Sequence, residues 1–262
     1  MLLAGPVKKA GGVLALGLAI LASVQFDLAH AETIRLQGST TVTAQVLQPL
    51  QNSIEAATGH KLDVVANKTT PGLIALLEGK TDVAMISSPL DGAVSLAQKT
   101  HPHLPYAALR SFPVARTRVG FAVHPDNPVR SISTDMLKRV LRGEIENWKE
   151  LGGLDLPIRV VMVREGGGVK LTIENELLLG EPIKVPNAVL LPNGPRIVRV
   201  VEQEPGALGL AQFNLVQRFN LPELRLEHDL AQELALVTLG EPTPALRAVI
   251  DAIRAAARSG AE

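Results

Sequence analysis

Cysteine is absent from all 262 residues, which leaves no disulfide framework and no cysteine on which a lipid anchor could be built. Aromatic residues are scarce at 3%, with one Trp and one Tyr. That scarcity argues against nucleic acid, which asks for stacking rings, and against sugars or large organic ligands, whose pockets are usually lined with aromatic and apolar groups. Neither sign of charge is in excess, since 26 basic side chains meet 26 acidic ones, and a basic face for nucleic acid is not to be expected. Long apolar runs are missing too. The run from Val13 to Leu21 falls short of the roughly 20 residues that a membrane span needs.

That run has another reading. Lys8 and Lys9 precede it, and Ala29-His30-Ala31 follows as a small-x-small pattern, so residues 1–31 read as a secretory signal cleaved after Ala31. Export without cysteine implies a soluble, uncrosslinked protein, and a Gram-negative periplasm is the expected compartment. Without Lys8, Lys9 and Asp27 the net charge becomes −1, which selects no partner. Residues 32–262 are enough for one large domain or for two lobes of about 100 residues each.

What is present is alternation. Leu62 to Val65, Val83 to Ile86, Val119 to Val123 and Ile158 to Val163 read as buried strands. Between and around them lie helical patterns: Val46, Leu47, Leu50 and Ile54 stopping near Gly59, then Leu73 to Leu77 stopping at Gly79. Met136 to Leu141, Leu171 to Leu179, Ile197 to Val201 and Leu246 to Ala257 follow. Strands and helices in this order predict an α/β fold with mostly parallel sheets. The turn-rich His124-Pro125-Asp126-Asn127-Pro128 and Pro205-Gly206-Ala207 suggest boundaries. They place lobe one at about 32–114 plus 206–262 and lobe two at about 115–205, with a ligand cleft between them.

Four strand-to-helix turns carry the candidate chemistry. Gly38-Ser39-Thr40-Thr41 follows the strand Thr33 to Leu36 and opens a helix, where hydroxyls and unpaired N–H groups favour an anion. Plain capping by Thr41 or Thr43 explains it as well. Thr69-Thr70-Pro71-Gly72 repeats the arrangement, with Pro71 suited to the first helical position. Ser87-Ser88-Pro89 repeats it again, though a simple turn would suffice. In the fourth turn Arg164, whose fork matches a tetrahedral oxyanion, stands before Glu165-Gly166-Gly167-Gly168. Ligands of open α/β sheets bind at the carboxyl ends of strands, where all four turns lie. Lys68 and Lys170 read as solvated, because a charge in a dry site must be paired. Trp148 reads as a core anchor of the second lobe.

In its order of motifs the chain resembles the phosphate-binding proteins of phosphate ABC transporters, the PstS-like family, over nearly all of residues 32–262. The resemblance is carried by Gly38-Ser39-Thr40-Thr41-Val42, by Gly79-Lys80-Thr81-Asp82-Val83-Ala84 leading to Ser87-Ser88-Pro89-Leu90, and by His124-Pro125-Asp126-Asn127-Pro128. Its most specific stretch runs from Leu141-Arg142-Gly143-Glu144 through Trp148 to Gly152-Gly153, and Asn193-Gly194 and Glu204-Pro205-Gly206-Ala207-Leu208-Gly209 complete it. The resemblance implies a two-lobed periplasmic binding protein type II fold. It implies capture of inorganic phosphate or a related oxyanion and its delivery to ABC permease subunits in the inner membrane. By position it assigns ligand binding to Ser39, Thr40, Thr41, Thr69, Thr70, Ser87 or Ser88 and Arg164, with Gly167, Gly168 and Val169 offering backbone donors. The chain departs from the family at Gly168-Val169-Lys170, where Ser-Gly-Thr is usual, and at Thr69-Thr70-Pro71-Gly72, where Ser-Ser-Gly-Gly is favoured. Installing Ser-Gly-Thr at 168–170 is expected to add two hydroxyl donors and tighten phosphate binding. Where some members carry Asp the chain has Ser87, so rejection of sulfate is expected to be soft.

Other chemistries are less well supported. Gly79-Lys80-Thr81 ends like a nucleotide-gripping loop, but Ile74 stands where that loop needs glycine, and the segment follows a helix. His101-Pro102-His103 has no further His or Cys nearby and reads as a loop, so no metal is expected. No nucleophile elbow or zinc-protease motif occurs, and no enzymatic role or cofactor is expected. A monomer is expected that binds without breaking a bond. An anion sensor without transport, a different oxyanion and a phosphorylated ligand remain as alternatives.

Overall fold

The computed structural model describes Met1, Gly5, residues 31–164 and residues 166–259. Apart from Met1, Gly5 and Ala31, the secretory leader expected over 1–31 lies outside the described residues. In β1 (Thr33–Gly38) Ile34 and Leu36 point inward while Thr33 and Arg35 stay exposed, the period of a strand with one face on a core. Helix α1 (Thr40–Val42) continues through a π turn, Thr43–Leu47, into α2 (Gln48–Thr58), which Gly59 ends in the left-handed conformation with φ 73°. Next come β2 (Lys61–Ala66), α3 (Thr69–Leu77), the fully buried β3 (Val83–Ile86), α4 (Leu90–Gln98) and the long β4 (Leu109–Val123).

The second half repeats the scheme. Helix α5 (Thr134–Leu141), capped by the Ser133 hydroxyl, leads by way of Trp148 to β5 (Arg159–Val163). Helix α6 (Gly168–Thr172) continues as a π turn, Ile173–Leu177, and is followed by β6 (Val189–Leu191) and α7 (Gly194–Gln203). The chain closes with β7 (Ala207–Gln212), α8 (Phe213–Arg218), β8 (Ala231–Leu239) and α9 (Pro244–Ser259).

The strands lie in the order β2-β1-β3-β8-β4-β7-β5-β6. Two parallel triplets, β2-β1-β3 and β6-β5-β7, are joined by antiparallel β8 and β4. Strand β4 belongs to both halves: residues 109–118 pair with β8 and residues 119–123 with β7. Apolar packing follows the same division. Leu36, Leu47, Met85 and Ile250 share one cluster beside a smaller one around Leu73, Ile86 and Val237. Phe121, Leu137, Trp148, Ile173 and Leu208 share another, beside Ala122, Ile197 and Val216. This is the two-lobed α/β architecture. Its return crossing falls near residue 230 and not near 206, because Leu208, Val216 and Leu224 all pack into the second lobe. Pro205-Gly206 is a turn inside that lobe: Gly206 O accepts from Trp148 Nε1 at 2.9 Å, which seats the indole in its core. Among the described residues no helix is long and apolar enough to cross a membrane.

Candidate functional site

The two parallel triplets end at one place. The carboxyl ends of β1, β2 and β3 face those of β5, β6 and β7 across a cleft, and a cavity of about 30 Å³ lies between them. That volume is an order of magnitude below the ~300–1,000 Å³ of pockets for drug-sized ligands.

Four helical runs begin on this cavity, those capped by Ser39, Lys68, Gly167 and Asn193. Each brings unpaired N–H groups and the positive end of a helix dipole. Among the described lining residues there is no carboxylate and one cation, Lys68. Elementary electrostatics therefore suits the cavity to a small anion.

The hydroxyls are already organised. Ser39, not Thr41 or Thr43, caps the first helix: its Oγ accepts from Thr41 N at 3.1 Å and from Val42 N at 3.2 Å, and donates to Ser87 Oγ at 2.7 Å. Ser87 N donates to Thr69 Oγ1 at 3.2 Å, and the Thr69 and Ser87 hydroxyls lie 3.5 Å apart, where either can donate to the other. The Ser87 carbonyl accepts from Gln232 Nε2 at 2.6 Å. Across the cleft, Gln212 Nε2 donates to Thr41 Oγ1 at 2.6 Å.

The cavity thus gathers Ser39, Thr40, Thr41, Thr69, Ser87, Gly167, Gly168 and Val169 of the expected site residues. Thr70, Ser88 and Arg164 are not on its lining. Thr70 and Ser88 are buried, and their hydroxyls have no hydrogen-bond partner among the described residues. Thr70 packs against Gly166 of the opposite lobe. Arg164 is exposed; its backbone N–H donates to Leu191 O at 2.9 Å, continuing the ladder of β5 on β6. Pro71 is the third helical residue and not the first, still within the turn whose N–H groups have no partner.

Two expectations need correction. Lys170 is not solvated: its ammonium pairs with Glu174 at 2.8 Å, and the two side chains are 14% and 11% exposed. Nor can a side chain be added at position 168 in this arrangement, since a Cβ on Gly168 would overlap both Oγ and O of Ser87. At position 168 the departure from Ser-Gly-Thr is a packing requirement, because the missing side chain lets the lobes meet at Ser87.

Sequence reasoning took Lys68, which lines the cavity, as solvated and did not single out Asn193 or Gln212 as site residues. Asn193-Gly194-Pro195 did carry a signal, a capping residue and a proline in the first turn after the apolar Val189–Leu191. Gln212 had none, since its neighbour across the cleft lies 171 residues away.

Residues 27–226 match the family model described as the PBP superfamily domain. The phosphate-binding protein PstS of Bacillus subtilis is 27% identical over 183 residues, which cover 70% of this chain and 57% of that protein. The chain spans about half the length of the curated relatives it matches. Among solved structures, a putative phosphate ABC transporter substrate-binding protein from Clostridium perfringens, with bound phosphate, has a TM-score of 0.71 at 21% identity, over 84% of this chain and 92% of that one. An ABC-type phosphate transport receptor from Vibrio cholerae has a TM-score of 0.68 at 19% identity, over 87% and 96%.

Proposed function

From a chain that belongs to the PBP superfamily and is PstS-like within it, we propose a binding protein that captures phosphate or a similar tetrahedral oxyanion between its lobes and hands it to the permease of an ABC transporter. The observation that carries this reading is the convergence of four helix starts on a cavity of about 30 Å³ with no carboxylate among its described lining residues. N–H groups of those helices and the hydroxyls of Thr40, Thr69 and Ser87 surround the anion, and closure replaces its water. No bond is broken. The reading includes export through the leader over 1–31, a periplasmic location and action as a monomer.

Calorimetry with inorganic phosphate, sulfate and arsenate tests the reading. Phosphate near neutral pH keeps a proton that needs an acceptor, and here hydroxyls serve that can also donate. Phosphate is expected to bind, with sulfate within about a hundredfold, since exclusion by a buried, mismatched polar group reaches ~10⁴ or more. Absence of heat with all three anions would sink the proposal.

A further inference from the structure

We infer that Lys68 supplies the positive charge that holds the anion, through a side chain kept at the cavity by a backbone conformation that glycine adopts freely and lysine does not. This rests on the oxyanion reading of the site.

Lys68 has φ 82° and ψ 163°, a region of backbone space that is essentially glycine's. It is pinned there. Lys68 N donates to Gly38 O at 2.8 Å, Asn67 N donates to the same oxygen at 2.9 Å, and Lys68 O accepts from Gly72 N at 3.1 Å. These bonds tie the start of α3 to the end of β1 and need no side chain at position 68. Strained residues of this kind cluster where strain serves a site.

Among the described residues Lys68 has no ion pair and no side-chain hydrogen bond, whereas Lys170 is engaged by Glu174. Arg164 stands outside the lining, so Lys68 is the one cation among the described residues that line the cavity. Its neighbours on the described lining are the positive ends of helices, with no carboxylate among them. A cation set among like-signed dipoles is favoured by a bound anion that offsets their mutual repulsion.

The test compares phosphate affinity and unliganded melting temperature for the parent, Lys68→Gly, Lys68→Met, Lys68→Arg and Arg164→Ala. Loss of a charge-assisted contact predicts that the Gly and Met variants bind phosphate about tenfold or more weakly, with a shallower dependence on salt. Lys68→Arg keeps the charge and stays within about threefold. Unliganded Lys68→Gly sheds the strain and melts about 2–4 °C higher, while Lys68→Met does not. Weaker binding by a more stable protein is an outcome that a purely structural role does not produce. If the parent binds phosphate and Lys68→Met binds it within twofold, or if Arg164→Ala loses more than Lys68→Met, the assignment to Lys68 is overturned and the oxyanion reading stands. If the parent binds no tetrahedral oxyanion, both fail.

Discussion

Ser87 is the residue on which the two lobes converge. Its hydroxyl accepts from Ser39, its amide donates to Thr69, and its carbonyl takes Gln232 from β8 and Thr172 from α6 at 3.5 Å. Gly168 lies against both of its oxygens. A methyl group at 168 separates the lobes before it disturbs either core. We expect Gly168→Ala to keep its fold and to bind phosphate about tenfold or more weakly, because overpacking costs ~1–3 kcal/mol and here that cost falls on closure. Unchanged affinity in a calorimetric titration would show that the lobes need not meet at this point. Thr40→Val is a milder change at the exposed rim, with an expected loss of about 0.5–1.5 kcal/mol, or roughly twofold to tenfold.

At the scale of elements, local rules decide where helices begin and end, and tertiary contacts decide the rest. The C-terminus of α2 is an example: Glu55 accepts from Gln51 Nε2, Lys61 Nζ and Leu62 N at 3.0, 2.8 and 2.9 Å, tying the helix to β2. The Lys61 ammonium, the Leu62 N–H and the Gln51 amide hold its carboxyl down from the ordinary 4.5 to about 2. A carboxyl depressed in the folded state stabilises the fold above its unfolded pKa, and that contribution fades as pH falls through the folded value. Melting temperatures of the parent and Glu55→Gln are therefore expected to converge between pH 4.5 and 2; a constant gap would show that the charge plays no part. The same physics explains what could be read in advance. Helices with a capping residue, a clear apolar face and a terminal glycine were legible, as was β3, a short Val/Ile-rich run. Strand β8 was not, because Gln232 is buried inside it to serve Ser87 and breaks the apolar pattern. Strand β6 has three residues, and α4 contains Gly92, packed against Asn175 of the other lobe. Such residues answer to neighbours far along the chain. The site divides likewise: the hydroxyl turns were visible, whereas Lys68 joins the cavity through a backbone twist that residue type alone argues against.

The whole molecule turns about β4 and its return. Arg118 sits where β4 passes between partners, reaching Asp229 at 2.7 Å and Glu223 at 3.0 Å with its guanidinium 3.4 Å from the Phe213 ring centroid. Burial pushes the Glu223 carboxyl up, against the pull of Arg118. The lobes are thus pinned at the crossing and meet again at the cleft, where Gln212 holds Thr41. Gln212→Leu is expected to weaken phosphate binding threefold to tenfold, the worth of one hydrogen bond, and to reduce the ligand-induced compaction seen by X-ray scattering. Equal compaction in parent and variant would place the latch elsewhere. The crossing near residue 230 also sorts the chromophores. Trp148, the chain's one indole, lies in the core of the second lobe, and Tyr106, its one phenol, packs against the first. Tryptophan emission is therefore a one-sided lamp. A denaturation curve followed by it records the second lobe, and the first can melt in the dark.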